Sequence, residues 1–136
     1  MSQTLLIHGA WGGAWECEET HEGLRKLGHQ ARAIDLPGHG QFEADKAEVT
    51  MDAYVQTGIE AAEVIERLVY GAAMLPKNGD TPLGLMQGDN AGELLTKIEF
   101  TEDQSYATVA PEVVRIVLLN DIDDSNTSRA LSLTLR

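Results

Sequence analysis

Two short apolar runs with a helix between them constrain this chain more than any other feature. Thr4-Leu5-Leu6-Ile7 ends at His8-Gly9, and Ala31 to Leu36 ends at Pro37-Gly38-His39-Gly40. The first run is apolar on both faces, as in a parallel strand covered by helices, and the second reads as a further apolar strand. Gly9, Gly12 and Gly13 make a loop after the first run. Glu16 to Leu27 then reads as a helix, with Gly28 as its stop. Strand, helix and strand in this order make a βαβ unit, whose crossover is expected to be right-handed.

Farther along, Thr50 is placed to cap a helix running from Met51 to about Arg67, with Tyr54, Ile59, Ala62 and Ile65 or Glu66 tracing part of one face. A third apolar run, Leu68 to Leu75, ends at Pro76 and the Lys77-Asn78-Gly79-Asp80 turn. Leu83 to Leu95 reads as irregular or as a short helix, and residues 97–109 as two short strands around a turn at Glu102-Asp103. Pro111 opens a helix toward Leu119, since proline suits the first helical position. Ser125 to Leu135 reads as a last helix capped by Asp123, Asp124 or Ser125. The expected fold class is α/β, a small parallel sheet of about three strands (4–8, 31–36 and 67–74) with helices on both faces. A single domain over residues 1–136 is expected, with 1–76 as sheet core and 77–136 as a helical, cap-like region.

Charge excludes some functions. The net charge of −12 argues against binding nucleic acid, which needs clustered Lys and Arg, and against anionic membrane surfaces. Cys17 is the sole cysteine, so no intramolecular disulfide forms and a reducing compartment is expected. Strand-like residues begin at Thr4, with no basic region and apolar core before them. No apolar run approaches the ~20 residues of a membrane span. The cytoplasm is the expected location.

Specific residues then point to a family. Leu5-Leu6-Ile7-His8-Gly9-Ala10-Trp11, Trp15, Gly28-His29 and Ala33-Ile34-Asp35-Leu36-Pro37-Gly38-His39-Gly40 resemble the α/β-hydrolase superfamily. The nearest branch is the small esterases related to plant methyl esterases and hydroxynitrile lyases. Thr50 to Val55 resembles the start of that branch's next helix, and Arg67 to Pro76 the strand that follows its catalytic elbow. Gly88-Asp89, Ala91-Gly92-Glu93 and Asn120-Asp121 resemble its cap region. Against that pattern a strand and the G-x-S-x-G elbow are missing near Glu63 to Glu66. The segments supplying the family's acid and catalytic histidine are missing as well. The resemblance therefore implies an internally deleted, truncated hydrolase fold.

A serine hydrolase needs a nucleophile on a strained strand-to-helix turn, a histidine to take its proton and an acid to orient the histidine. None of Ser2, Ser105, Ser125, Ser128 or Ser132 sits between small residues after an apolar strand. Leu85 to Gly92 resembles an elbow with Asp89 as nucleophile, but Gln87 fills a place that needs a small residue, and a loop is the better reading. In the family the loop after the first strand gives one backbone N–H to the oxyanion hole, which by position is Ala10. His8, Gly9, Ala10, Trp11 and Trp15 are therefore the pocket candidates, and Asp35, His39 and Asp89 the polar ones. Cys17 lies among Glu16, Glu18 and Glu19, which disfavour its thiolate. No zinc or calcium pattern survives inspection, and no cofactor is expected.

The expected function is an esterase-like descendant with little or no hydrolase activity. Alternatives are a small-molecule binding or assembly module keeping the family pocket for a small ester or acid, and catalysis by His8, Asp35, His39 and Asp89 across a dimer interface. A small sheet with open apolar edges invites a second chain, so a homodimer is expected, sheet-continuous or with exchanged segments.

Overall fold

The computed structural model describes residues 3–62, 65–71, 73–75, 77–88, 92–103 and 105–134. The chain divides into two compact units, Met1–Ile65 with Asp123–Arg136, and Glu66–Ile122. The fold is mixed α/β, with a small parallel sheet and several helices.

In the first unit β1 (Gln3–Ile7) pairs in parallel with β2 (Gln30–Ile34). Between them a 3-10 turn, Ala14–Cys17, leads into α1 (Glu18–Lys26). Gly28 stops α1 as expected. At φ +83 it occupies the left-handed region, and the N–H groups of Gly28 and His29 return to the carbonyls of Arg25 and Leu24, each at 3.0 Å. The imidazole of His21 on α1 donates from Nε2 to the Ala31 carbonyl at 2.9 Å, tying α1 to β2.

α2 spans Met51–Ala61, and Thr50 caps it by accepting the Ala53 N–H on Oγ1 at 3.2 Å. The helix stops short of Arg67. Arg32 donates to the Ala61 carbonyl, and Ala62 turns extended. The inward face also differs from expectation. Ala53, Tyr54, Thr57, Gly58 and Ala61 are half-buried while Ile59 is exposed. Gly58 lets the backbone approach β1, with Ile7 Cδ1 3.6 Å from where a Cβ would stand. The last element of this unit is α5 (Asp124–Thr134), where Ala130 and Thr127 are buried. Asp123 caps it by accepting from the N–H groups of Ser125 and Asn126, both at 3.0 Å.

The expectation of about three parallel strands is corrected to two. Among the described residues the parallel sheet is β1-β2, and those of the run 67–74 carry no strand. Hydrophobic pattern marks a segment that can pair, but a strand forms only where an edge accepts it.

The second unit contains α3 (Pro82–Gln87), with Thr81 as its cap, then a 3-10 turn at Leu94–Lys97. Next comes the expected hairpin, β3 (Ile98–Phe100) antiparallel to β4 (Ala107–Val109). Asp103 organises its turn, accepting from Thr101 Oγ1 at 2.6 Å and Ser105 Oγ at 2.8 Å. α4 (Pro111–Val113) follows and widens into a π turn over Val114–Leu118. Val109 and Val114 form its small buried core.

Candidate functional site

The register of the parallel pair positions the site. Ile7 stands opposite Ile34, so β1 and β2 end level. The loops 8–13 and 35–41 therefore leave side by side at the carboxyl ends of the strands, the edge at which open α/β sheets build their sites.

Three side chains link these loops. His8 is buried, and its Nδ1 lies 2.7 Å from the Gly9 carbonyl. A carbonyl only accepts, so Nδ1 holds the proton. Nε2 then accepts the Leu36 N–H at 3.1 Å, and both ring nitrogens are spent. His39 repeats the pattern. Nδ1 donates to the Gly12 carbonyl at 3.2 Å, and Nε2 accepts the Tyr54 hydroxyl at 3.0 Å. The two imidazoles are neighbours, with centroids 4.9 Å apart. Burial above all, then His8, lowers the pKa of His39 below 6.5; Lys46 adds to this, while the Gly12 carbonyl and Asp35 oppose it. Burial likewise raises the Tyr54 phenol above its usual value.

Asp35 is the third link. Oδ1 accepts the Ala14 N–H at 2.6 Å and Oδ2 the Gln41 N–H at 3.0 Å, joining the two loops through one carboxylate. Gly40 makes room for it, because a Cβ there would fall 2.2 Å from Oδ1. Asp35 and His39 thus act as loop braces.

The loop after β1 has its own brace. Glu16 accepts the Gly9 N–H on Oε2 at 3.2 Å, and a Cβ on Gly12 would stand 2.3 Å from that carboxylate. Trp11 is held at φ 60, a left-handed conformation costing a non-glycine residue about 1 kcal/mol or more. In this tightly turned loop the Ala10 N–H meets no acceptor among the described residues, and Ala10 is exposed. A backbone donor left open on an otherwise braced loop can receive a carbonyl or carboxylate oxygen.

A cleft of about 500 Å³ lies beside these loops, walled by Trp15, Glu18, Asp35, Gln41, Arg129 and Ser132, with Ala14 and Gly40. Trp15 belongs to it; His8, Gly9, Ala10, Trp11 and His39 do not line it. The Trp15 indole N–H is buried without a partner among the described residues. Arg129 pairs with Glu18 at 2.5 Å, but both side chains are more than half exposed, so the pair adds little stability.

No described serine is placed as a nucleophile. Ser105 donates to Asp103, Ser125 to Asp123, Ser128 to the Asp124 carbonyl and Ser132 to the Arg129 carbonyl. Asp89 and Ser2 lie outside the described residues, but the segment before Asp89 is the helix α3 instead of the strand an elbow needs. Burial, then Glu16, raises the Cys17 thiol above its ordinary pKa. Among the described residues no group of three or more His, Cys, Asp or Glu is arranged to hold a metal ion, and no helix is long and apolar enough to cross a membrane.

Glu16, Tyr54 and Arg129 were not foreseen as site residues. Only Tyr54, on the inward face of α2, carried a sequence signal. Glu16 and Arg129 meet their partners through chain reversals that no spacing rule encodes.

Comparison with known proteins gives one relative, a carbendazim hydrolyzing esterase from Nocardioides sp. (strain SG-4G). It is 29% identical over 115 residues, covering 63% of this chain and 48% of that protein. The chain thus spans about half the length of the curated relative it matches. Since 63% of 136 residues falls well short of 115, the alignment leaves a sizeable stretch of the relative without a counterpart here. No family model and no solved structure matches the chain. The likeness supports a distant esterase-like relationship.

Proposed function

We propose that this chain is a descendant of an α/β-hydrolase of the small esterase type. It keeps the loop that receives a carbonyl oxygen and does not itself hydrolyse esters. One observation carries the reading. Both ring nitrogens of His8 and His39 and both carboxylate oxygens of Asp35 brace the loops at the strand ends, while the Ala10 N–H meets no acceptor among the described residues. Such a loop offers a donor to an oxygen acceptor, while the two imidazoles beside it are already bonded at both ring nitrogens and so are not free to take a hydroxyl proton. The distant esterase relative supports the esterase-like ancestry in this reading.

The function left to such a scaffold is binding a small ester or carboxylic acid at the strand ends. Trp15 in the adjoining cleft would report occupancy. Two measurements test this. Hydrolysis of p-nitrophenyl acetate should stay at the level of free imidazole at equal concentration. Tryptophan fluorescence should respond saturably to a panel of small esters and acids. Turnover abolished by one alanine substitution would refute the loss of hydrolysis, and a flat titration across the panel would refute binding.

A further inference from the structure

The parallel ladder ends level at Ile7 and Ile34, and just beyond it the two loops are joined by a side chain. The Leu36 N–H finds its acceptor at His8 Nε2, 3.1 Å away. His8 is only 8% exposed, so water is no ready substitute for that bond. Its Nδ1 lies 2.7 Å from the Gly9 carbonyl, which fixes the proton on that nitrogen and leaves a lone pair at Nε2. The link therefore exists only while His8 is neutral. A proton on Nε2 would set two N–H donors against each other, and a peptide N–H cannot turn round to accept.

His39 stands beside it, ring centroids 4.9 Å apart, but is held differently. Its Nε2 meets the Tyr54 hydroxyl at 3.0 Å and its Nδ1 the Gly12 carbonyl at 3.2 Å. A hydroxyl rotates freely from donor to acceptor, so His39 keeps both partners in either charge state. Of the two imidazoles, only His8 loses a partner by taking a proton. The other ionisable groups around the pair come from four places. Asp35 favours a charge on His39 and Lys46 opposes it. Tyr54 reaches in from α2, and Glu16, in the turn before α1, holds the Gly9 N–H.

We infer that His8 is a pH-sensitive latch: in acid, a proton on its Nε2 releases the Leu36 N–H and loosens the join between the loops 8–13 and 35–41. Asp35 still spans Ala14 and Gln41, so the change is a local opening at Gly9 and Leu36 instead of an unfolding. Imidazoles ordinarily change charge between about pH 5 and pH 8, so the device works near neutrality. Where the Ala10 N–H binds a ligand as proposed, acid loosens the loop that presents it. The latch itself does not depend on that ligand.

Histidine side-chain nitrogen NMR and amide exchange on the full chain, from about pH 7.5 to about pH 5, test the proposal. At the upper end the His8 signals should show Nδ1 protonated and Nε2 bare. As Nε2 takes up its proton, protection of the Leu36 amide, corrected for the intrinsic pH dependence of exchange, should fall at least about tenfold. The amides that bond β1 to β2 should keep theirs. His8→Gln offers Leu36 a carboxamide oxygen that does not titrate, so its Leu36 protection should not change with pH. His39→Gln should leave the Leu36 response in place. Five results would overturn the latch: the opposite His8 tautomer at the upper pH, a His8 still neutral at about pH 5, Leu36 protection unchanged as His8 charges, strand amides lost in step with Leu36, or an acid response that survives in His8→Gln.

Discussion

Replacing Gly40 with alanine and Asp35 with alanine, singly and together, asks whether the carboxylate at the strand ends is a brace. Gly40 stands at φ +55, and an L residue there costs about 1.5 kcal/mol. Its new Cβ would also fall 2.2 Å from Asp35 Oδ1. The carboxylate must then swing off the Ala14 and Gln41 N–H groups. The first is half-buried and the second is exposed, so losing both costs about 2 kcal/mol in all. Gly40→Ala should therefore destabilise by about 3.5 kcal/mol and Asp35→Ala by about 2 kcal/mol. In the double variant the clash has nothing to strike, and the two lost bonds are counted once. Its cost should return to about 3.5 kcal/mol, a coupling of about 2 kcal/mol between the sites. Urea unfolding of the four proteins, followed by tryptophan fluorescence and circular dichroism, measures the cycle. Additivity within about 0.5 kcal/mol would refute the brace and return Asp35 to the acid candidates.

Three further outcomes follow from the same contacts. His39 is pushed below 6.5 by burial, so the unfolded chain takes up its proton first. Its contribution is intact above about pH 6.5 and is lost as pH falls toward the lowered folded value; the urea midpoint should drop between pH 7.5 and 5.5 in the unsubstituted protein and less in His39→Gln. Gly58→Ala should stabilise the protein by up to ~1 kcal/mol through helix propensity, since its Cβ would meet Ile7 at an ordinary 3.6 Å; a lower melting temperature would show that α2 sits closer to β1 than described. Asp123→Ala should lower helicity at 222 nm by fraying α5. The same loss should appear in the unsubstituted protein as pH falls from about 4 toward the Asp123 pKa of about 2, where hydrogen bonds from Ser125 and Asn126 hold it.

The resemblance to a hydrolase pointed to the loops at the strand ends, where Asp35 and His39 brace the turns. Asp35 and His39 were legible as polar residues at the end of an apolar strand. Nothing in the sequence said that Ala14, Gln41, Gly12 and Tyr54 would consume their hydrogen-bonding atoms. Those partners lie 6 to 27 residues away, and contacts of that kind depend on how loops meet once a sheet has formed.

What the sequence determined by itself is local. The βαβ unit, the Gly28 stop, the Thr50 cap, the turn at Glu102-Asp103 and the Asp123 cap each follow from φ preferences, capping or short-range hydrophobic pattern. Those forces act within a few residues and need no knowledge of the rest of the chain. Tertiary structure decided where α2 ends, because Arg32 reaches the Ala61 carbonyl, and which of its faces turns inward. It also decided the fate of the run after α2. Leu68-Val69-Tyr70 has the composition of a strand, but strand formation depends on an edge elsewhere to receive it, and no property of the run itself says whether that edge exists.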